Sequence, residues 1–173
     1  MVVYGIVAFD SRGGVGELNK LPWPMLVHDM KRFRMLTEHG TVIMGRKTYE
    51  SLPNGPLKKR LNIVVTRQPH QHEHLQKEYD NLLFLSENEV RQYIQNNSSD
   101  KIFIIGGPMV WDLLMEHIEI YYITFIHAFF PNVDTFIDKR KVLHLFNETL
   151  TESKIHHCKG ITYHFETRVR RAL

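Results

Sequence analysis

Asp29 and Phe33 stand four residues apart, a spacing that on a helix sets both on one face with Met30 beside them. A carboxylate next to an aromatic ring has two uses. Near a helix amino end and in water it is a dipole-stabilised charge, the more frequent outcome without further context. Lining a cleft, it loses solvent, its pKa rises, and it becomes available for proton chemistry. Two glycine turns point to a second kind of chemistry. In Met44-Gly45-Arg46-Lys47-Thr48 a glycine permits close backbone approach, and two cations and a hydroxyl follow at a helix start. In Ile105-Gly106-Gly107-Pro108 two glycines lead directly into another helical stretch. Helix amino ends carry unpaired N–H groups and partial positive charge, so each turn is a candidate anion cradle. A lone turn is more often only a tight turn, but the pair, with Arg46, Lys47 and Arg67, favours a nucleotide pyrophosphate.

Other patterns carry less. Gly13-Gly14-Val15-Gly16 lacks the G-x-G-x-x-G spacing of a dinucleotide fingerprint and no helical pattern follows, so it reads as a mobile loop. His70, His72 and His74 alternate in a polar connector and His156-His157-Cys158 are adjacent. Neither set has metal-site spacing, and no metal is expected. No G-x-S-x-G nucleophile context occurs.

The elements that must position these groups follow from periodicity. Strand-like runs lie at Val2 to Phe9, Thr41 to Met44, Leu61 to Thr66, Leu82 to Leu85, Lys101 to Ile105, Ile118 to His127 and Ile161 to Val169. Several are apolar nearly throughout, as strands covered on both faces are, which points to a largely parallel sheet between helical layers. Helical stretches alternate with them at Met25 to Thr37, Arg46 to Leu52, Ser86 to Gln95 and Pro108 to His117. Ser86 with Glu89 makes a capping box, and Pro108 suits a first helical turn. From Glu119 onward strands dominate, so an antiparallel ending is expected on an α/β sheet. Ligands of such sheets sit beyond the carboxyl ends of the strands.

Composition bounds the class. The 173 residues, with no repeat, linker or low-complexity block, read as one domain spanning 1–173 with a single core. One cysteine, Cys158, excludes an internal disulfide and suits the cytoplasm. No apolar run is long enough to span a membrane, and the start MVVYGIVAFD has no signal-peptide pattern, so the mature chain is expected to be the whole chain. The net charge of +3 fits small polyanions as well as nucleic acid. Apart from Lys58-Lys59-Arg60 and Arg168-Val169-Arg170-Arg171 the basic residues are scattered, so nucleic acid is not the expected partner.

Together the segments GIVAFD, VGELNKLPWPML, VIMGRKTYES, LKKRLNIVVTR, IFIIGGPMVW, YYITFI and VDTFI resemble the dihydrofolate reductase family along nearly the full chain. Leu21-Pro22-Trp23, Met44-Gly45-Arg46 with Thr48, and Ile105-Gly106-Gly107 are its most specific words. The resemblance implies a single-domain, mainly parallel eight-stranded mixed sheet with helices on both faces, and a monomer that reduces dihydrofolate to tetrahydrofolate with NADPH. It implies that Asp29 bonds the pterin amino group and N3, that Thr124 supports the carboxylate, that Trp23 holds an ordered water, and that Leu21 belongs to the catalytic group. Ile6, Val7, Met30, Phe33, Leu52, Leu57 and Ile105 match the apolar walls of the substrate pocket, and Arg60 matches the partner of the glutamate carboxylate. For the cofactor, Ala8, Val15, Gly16, Lys20 and Leu21 match the nicotinamide side, with 13–21 as a closing loop. Gly45, Arg46, Lys47 and Thr48 match one pyrophosphate turn, and Gly106, Gly107, Pro108, Met109, Val110 and Trp111 the other. Arg46, Thr66 and Arg67 match the surroundings of the 2′-phosphate, which favours NADPH over NADH, and Val65 also belongs to the cofactor site. Trp111 stands where tyrosine is frequent, and Lys59 where glycine is. The nearest alternative is an NADPH-dependent pyrimidine reductase of riboflavin synthesis on the same fold, and beyond it a catalytically inactive relative or a nucleic-acid-binding module.

Overall fold

Along Val3–Phe9 (β1) buried and half-buried residues alternate strictly, because the two faces of this strand meet different layers. Val3, Val7 and Phe9 enter one core cluster, while Tyr4 and Ile6 pack into a second and Ala8 into a third. The computed structural model describes residues 2–97 and 101–171; the expected domain limits at residues 1 and 173 lie outside them.

The chain continues through Gly14–Gly16 (β2), Val27–Thr37 (α1), Thr41–Gly45 (β3), Arg46–Glu50 (α2), Leu61–Val65 (β4), Glu73–Glu78 (α3), Leu82–Leu85 (β5), Glu87–Asn96 (α4), Ile102–Gly106 (β6) and Pro108–Leu113 (α5). It ends with Ile118–Ile126 (β7), Thr135–Phe136 (β8), Lys139–Leu145 (α6), Glu148–Glu152 (β9), His156–Cys158 (β10) and Ile161–Val169 (β11). The main sheet runs β10-β11-β7-β1-β6-β3-β4-β5, an eight-strand path, and β9 joins it as a further partner of β11. From β7 to β5 every pairing is parallel, and β11 reverses the direction against β7, β9 and β10. This is the expected α/β sheet with an antiparallel ending.

Helices cover both faces. Val90 and Ile94 of α4, Val110 and Trp111 of α5, and Val142 of α6 pack with Val3, Ile43, Ile63, Ile104 and Ile123 in one cluster. Leu36 of α1, Tyr49 of α2 and Leu75 of α3 pack against Val42, Met44, Val64 and Phe84 in another. Each such side chain taken fully from water stabilises the fold by about 1.5–3 kcal/mol. Gly5 keeps one contact possible: a Cβ there would lie 2.6 Å from the ring of the fully buried Tyr121.

Local signals set several boundaries. Ser86 caps α4 and its reciprocal bond to Glu89 completes the capping box. Pro108 occupies the first turn of α5. The helix expected from Met25 begins only at Val27, since Leu26 is still extended (φ −101°, ψ 105°). The helix expected to reach His117 stops at Leu113, followed by a tighter 3₁₀ turn over Met115–His117. The Gly13–Gly16 segment is more than a loop. Its β2 portion pairs with β8, and buried Asp10 accepts from the backbone N–H of Gly14 at 2.7 Å and of Arg12 at 2.9 Å. No described helix is long and apolar enough to cross a membrane.

Candidate active site

The carboxyl ends of β1, β3, β4 and β6 open into one cleft of about 2500 Å³. Pockets for one drug-sized ligand run about 300–1000 Å³, so this space takes two sizeable molecules. At its floor lies Asp29, in the first turn of α1. Thr124 of β7, the registered neighbour of Ala8 on β1, donates its hydroxyl proton to Asp29 Oδ1 at 2.7 Å. Burial pushes the Asp29 carboxyl up from its usual range, while the Thr124 hydrogen bond and the Arg32 charge pull it back. A carboxyl so placed keeps its proton to higher pH than a solvated Asp does.

Arg32 is the member of this floor that sequence reasoning passed over. Three residues beyond Asp29, its guanidinium lies 4.5 Å from the ring centre of Phe165 and 5.3 Å from that of Tyr122. Burial lowers its pKa, opposed by the charge of Asp29. The i,i+3 spacing from Asp29 was the available signal. Trp23, buried just before α1, has an indole Nε1 with no hydrogen-bond partner among the described residues.

Apolar walls rise from this floor. Ile6, Val7, Met30, Phe33, Leu52, Leu57 and Ile105 all line the cleft, and Leu21 and Met30 stay exposed at its edge. Arg60 closes one end. Its Nε donates to Lys58 O at 2.9 Å and one terminal nitrogen to Thr37 Oγ1 at 3.0 Å, which fixes the plane of the guanidinium and leaves its other N–H groups free of protein acceptors among the described residues. Thr37 was not foreseen in this role. Lys59, where family members often carry glycine, sits at φ +59°, a left-handed conformation that glycine adopts without strain.

The other arm of the cleft is built by the glycine turns. Gly45, Arg46, Lys47 and Thr48 line it from the start of α2, and Gly107, Pro108, Met109, Val110 and Trp111 from the start of α5. Gly106 is the one expected site residue outside the lining: it is buried at φ +120°, and a Cβ there would lie 2.9 Å from the Trp111 ring. Trp111 in turn donates its Nε1 proton to Ile104 O at 3.2 Å, so it is fixed by the sheet. A Cβ on Gly45 would come within 3.1 Å of Val110, so the two turns approach each other closely. Val65, Thr66 and Arg67 line the same arm from the end of β4. Arg46 pairs with Glu50 at 3.2 Å, whereas Arg67 is exposed and has no ion pair among the described residues. These bare amides, hydroxyls and cations fit a dinucleotide with an additional phosphate.

Between the arms, Ala8, Val15, Gly16, Lys20 and Leu21 line the cleft. Residues beyond β2 are held by Asp134, whose Oδ2 accepts from the Leu18 N–H at 2.8 Å and whose own N–H donates to Gly16 O at 3.0 Å. Phe136 and Thr135 of β8 also line the cleft. Of the histidines noted in the sequence, His70 pairs with Glu73, His72 stacks on Phe84, and His156 stacks on Tyr163. Two of the carboxy-terminal arginines are held by the fold, Arg170 donating to Met115 O and Ile118 O and Arg168 bound to Glu166.

Comparison with known proteins agrees with this geometry. A family model described as dihydrofolate reductase matches residues 2–170. The chain is 35% identical over 182 residues to dihydrofolate reductase of Rattus norvegicus, covering 93% of each chain. It is 33% identical over 179 residues to the viral dihydrofolate reductase of Saimiriine herpesvirus 2, covering 93% of this chain and 81% of the relative. Among solved structures, dihydrofolate reductase from Enterococcus faecalis complexed with NADP(H) and RAB-propyl superposes with a TM-score of 0.78 at 27% identity, covering 99% of this chain and 97% of that one. These comparisons lend no support to a pyrimidine reductase of riboflavin synthesis.

Proposed function

Because the chain belongs to the dihydrofolate reductase family, we propose that it reduces 7,8-dihydrofolate to tetrahydrofolate in the cleft above Asp29, with NADPH as reductant. The observation that carries this reading is the Asp29–Thr124 pair, a partly buried carboxylate at the point where an apolar pocket meets two glycine turns flanked by cations. NADPH, when bound, supplies the hydride that pterin C6 receives. The protein's part is binding, orientation and proton placement.

Asp29 holds the pterin through its amino group and N3, and Thr124 fixes the carboxylate in position for both bonds. The negative charge favours protonation of the substrate, with water as the final donor to N5, and the buried Trp23 Nε1, which has no partner among the described residues, holds an ordered water nearby. Leu21, Ile6, Val7 and Ile105 line the cleft with apolar surface that keeps bulk water from the reacting groups. Met30, Phe33, Leu52 and Leu57 grip the benzoyl segment, and the pre-set Arg60 fork takes the glutamate carboxylate. Ala8, Val15, Gly16 and Lys20 surround the nicotinamide, and Gly45, Lys47, Thr48 and the Gly106 to Trp111 turn hold the pyrophosphate. Arg46, Thr66 and Arg67 surround the 2′-phosphate, and Val65 lines the cofactor arm beside them.

The protein is taken as a monomer, and the single Cys158 supports a cytoplasmic enzyme. Neither the composition nor the cleft favours nucleic acid or membrane as a partner. Dihydrofolate-dependent loss of NADPH absorbance tests the reading. Turnover with dihydrofolate and none with a ribosylamino-pyrimidine is expected; the reverse preference would overturn it.

A further inference from the structure

Thr124 points to Asp29, so Phe125 and His164, one step along their registered strands β7 and β11, project from the opposite face of the sheet. There the ladder between β9 and β11 sets Glu152 directly across from Glu166. Like charges so paired destabilise a sheet unless something positive lies between them. His164, two residues before Glu166 on the same face, supplies a nitrogen to the pair. Its Nε2 lies 3.1 Å from Glu166 Oε1 and 3.7 Å from Glu152 Oε1, and one ligand atom from each of the three lies within 4.8 Å of the others. Zinc–nitrogen and zinc–oxygen bonds of about 2.0–2.2 Å at a tetrahedral angle place neighbouring ligand atoms about 3.4 Å apart, between the two observed distances.

We propose that Glu152, His164 and Glu166 form a binding site for a divalent cation of the zinc class, with three protein ligands and an open fourth position. The surroundings support the ligands in the manner of metal centres. His164 Nδ1 lies 2.6 Å from His127 Nε2, and His127 Nδ1 lies 3.0 Å from Thr162 Oγ1. With metal on Nε2, His164 donates from Nδ1 to His127, which donates from its own Nδ1 to Thr162, so every ring nitrogen is satisfied. The His164 ring is also stacked on Phe125, centroids 4.9 Å apart and planes 8° from parallel. Glu166 Oε2 is taken by Arg168 Nε at 2.5 Å, which leaves Oε1 as its ligand atom. Two carboxylates and a neutral imidazole match the charge of a dication, and Arg168, held by Glu166 Oε2 and Phe146 O, leaves the loaded cluster with one net positive charge. The Glu152 side chain is 63% exposed, against 10% for Glu166 and 16% for His164, so the site opens to solvent on one side for entry.

None of the three lines the cleft, so the site stands independently of the proposed reductase activity. The test uses tag-free, chelator-stripped protein titrated with Co(II) alone, then with Zn(II) in competition. One equivalent of Co(II) should give the strong visible band of a four-coordinate ion, Zn(II) should displace it, and Zn(II) should raise Tm. His164→Ala should abolish the band. Glu152→Gln, at an exposed position that does not endanger folding, should weaken Co(II) by at least about tenfold, and His70→Ala should leave it unchanged. Absence of the band in the parent protein, or an unchanged affinity in Glu152→Gln, would overturn the proposal, as would loss in His70→Ala.

Discussion

Replacing Asp29 by Asn keeps the shape and the acceptor that Thr124 uses at 2.7 Å, and removes only the negative charge. Two effects of opposite sign follow. In catalysis the charge that favours a proton on the substrate is lost, and positioned proton chemistry of this kind contributes about 10²–10⁴-fold. Single-turnover hydride transfer at neutral pH should fall by that order and recover as the pH is lowered, because the variant depends on substrate already protonated in solution. In stability the same charge is a burden. Burial raises the folded-state pKa of Asp29, so the folded protein binds this proton more tightly than the unfolded chain does. The ionised group therefore opposes folding at neutral pH, and the opposition shrinks once pH falls below the raised folded pKa and is gone below the ordinary Asp value. Asp29→Asn should gain about 1 kcal/mol at neutral pH, or about 2–4 °C in Tm for a chain of this size. The gain should shrink toward zero in acid. Stopped-flow absorbance under single-turnover conditions measures the first effect and calorimetry across pH the second. A variant that keeps the parent's neutral-pH rate would falsify the catalytic role, and a Tm difference that is flat with pH would refute the account of the buried charge.

Two further substitutions separate the arms of the cleft. Arg67→Ala should weaken NADPH by about 10–100-fold, the loss of charge-assisted bonds worth about 1.5–3 kcal/mol, and leave NADH nearly unchanged; Arg46→Ala should cost less, since Glu50 already neutralises Arg46 at 3.2 Å. Cofactor fluorescence titration checks both, and equal losses for NADPH and NADH would place the 2′-phosphate elsewhere. Arg60→Ala should raise KM for dihydrofolate by about tenfold or more with little change for a pterin lacking the glutamate, and steady-state kinetics with unchanged dihydrofolate KM would remove Arg60 from the carboxylate site.

What could be read from the sequence was whatever is encoded within one element. The central strands are apolar on both faces, so Thr41–Gly45, Leu61–Val65 and Ile102–Gly106 stand out by composition alone, and Ser86 with Glu89 marks a helix start within four residues. The glycine turns were legible for the same reason, since Gly45 and Gly107 are followed at once by the helices they open. By contrast β8 and β9 were not legible. The first has two residues and the second is exposed throughout, so neither leaves a buried periodicity, and both exist only because a distant strand offers them a ladder. The same division runs through the sites. Asp29 with Phe33 is a helical spacing, but that Thr37 sets the Arg60 fork depends on the end of α1 reaching the turn before β4. Likewise the histidines that drew attention were alternating or adjacent in sequence, while His164 meets Glu152 through strand register. A cluster built across a ladder has no fixed spacing in the chain, and its chemistry emerges only when pairing places like charges opposite one another and brings an imidazole to both.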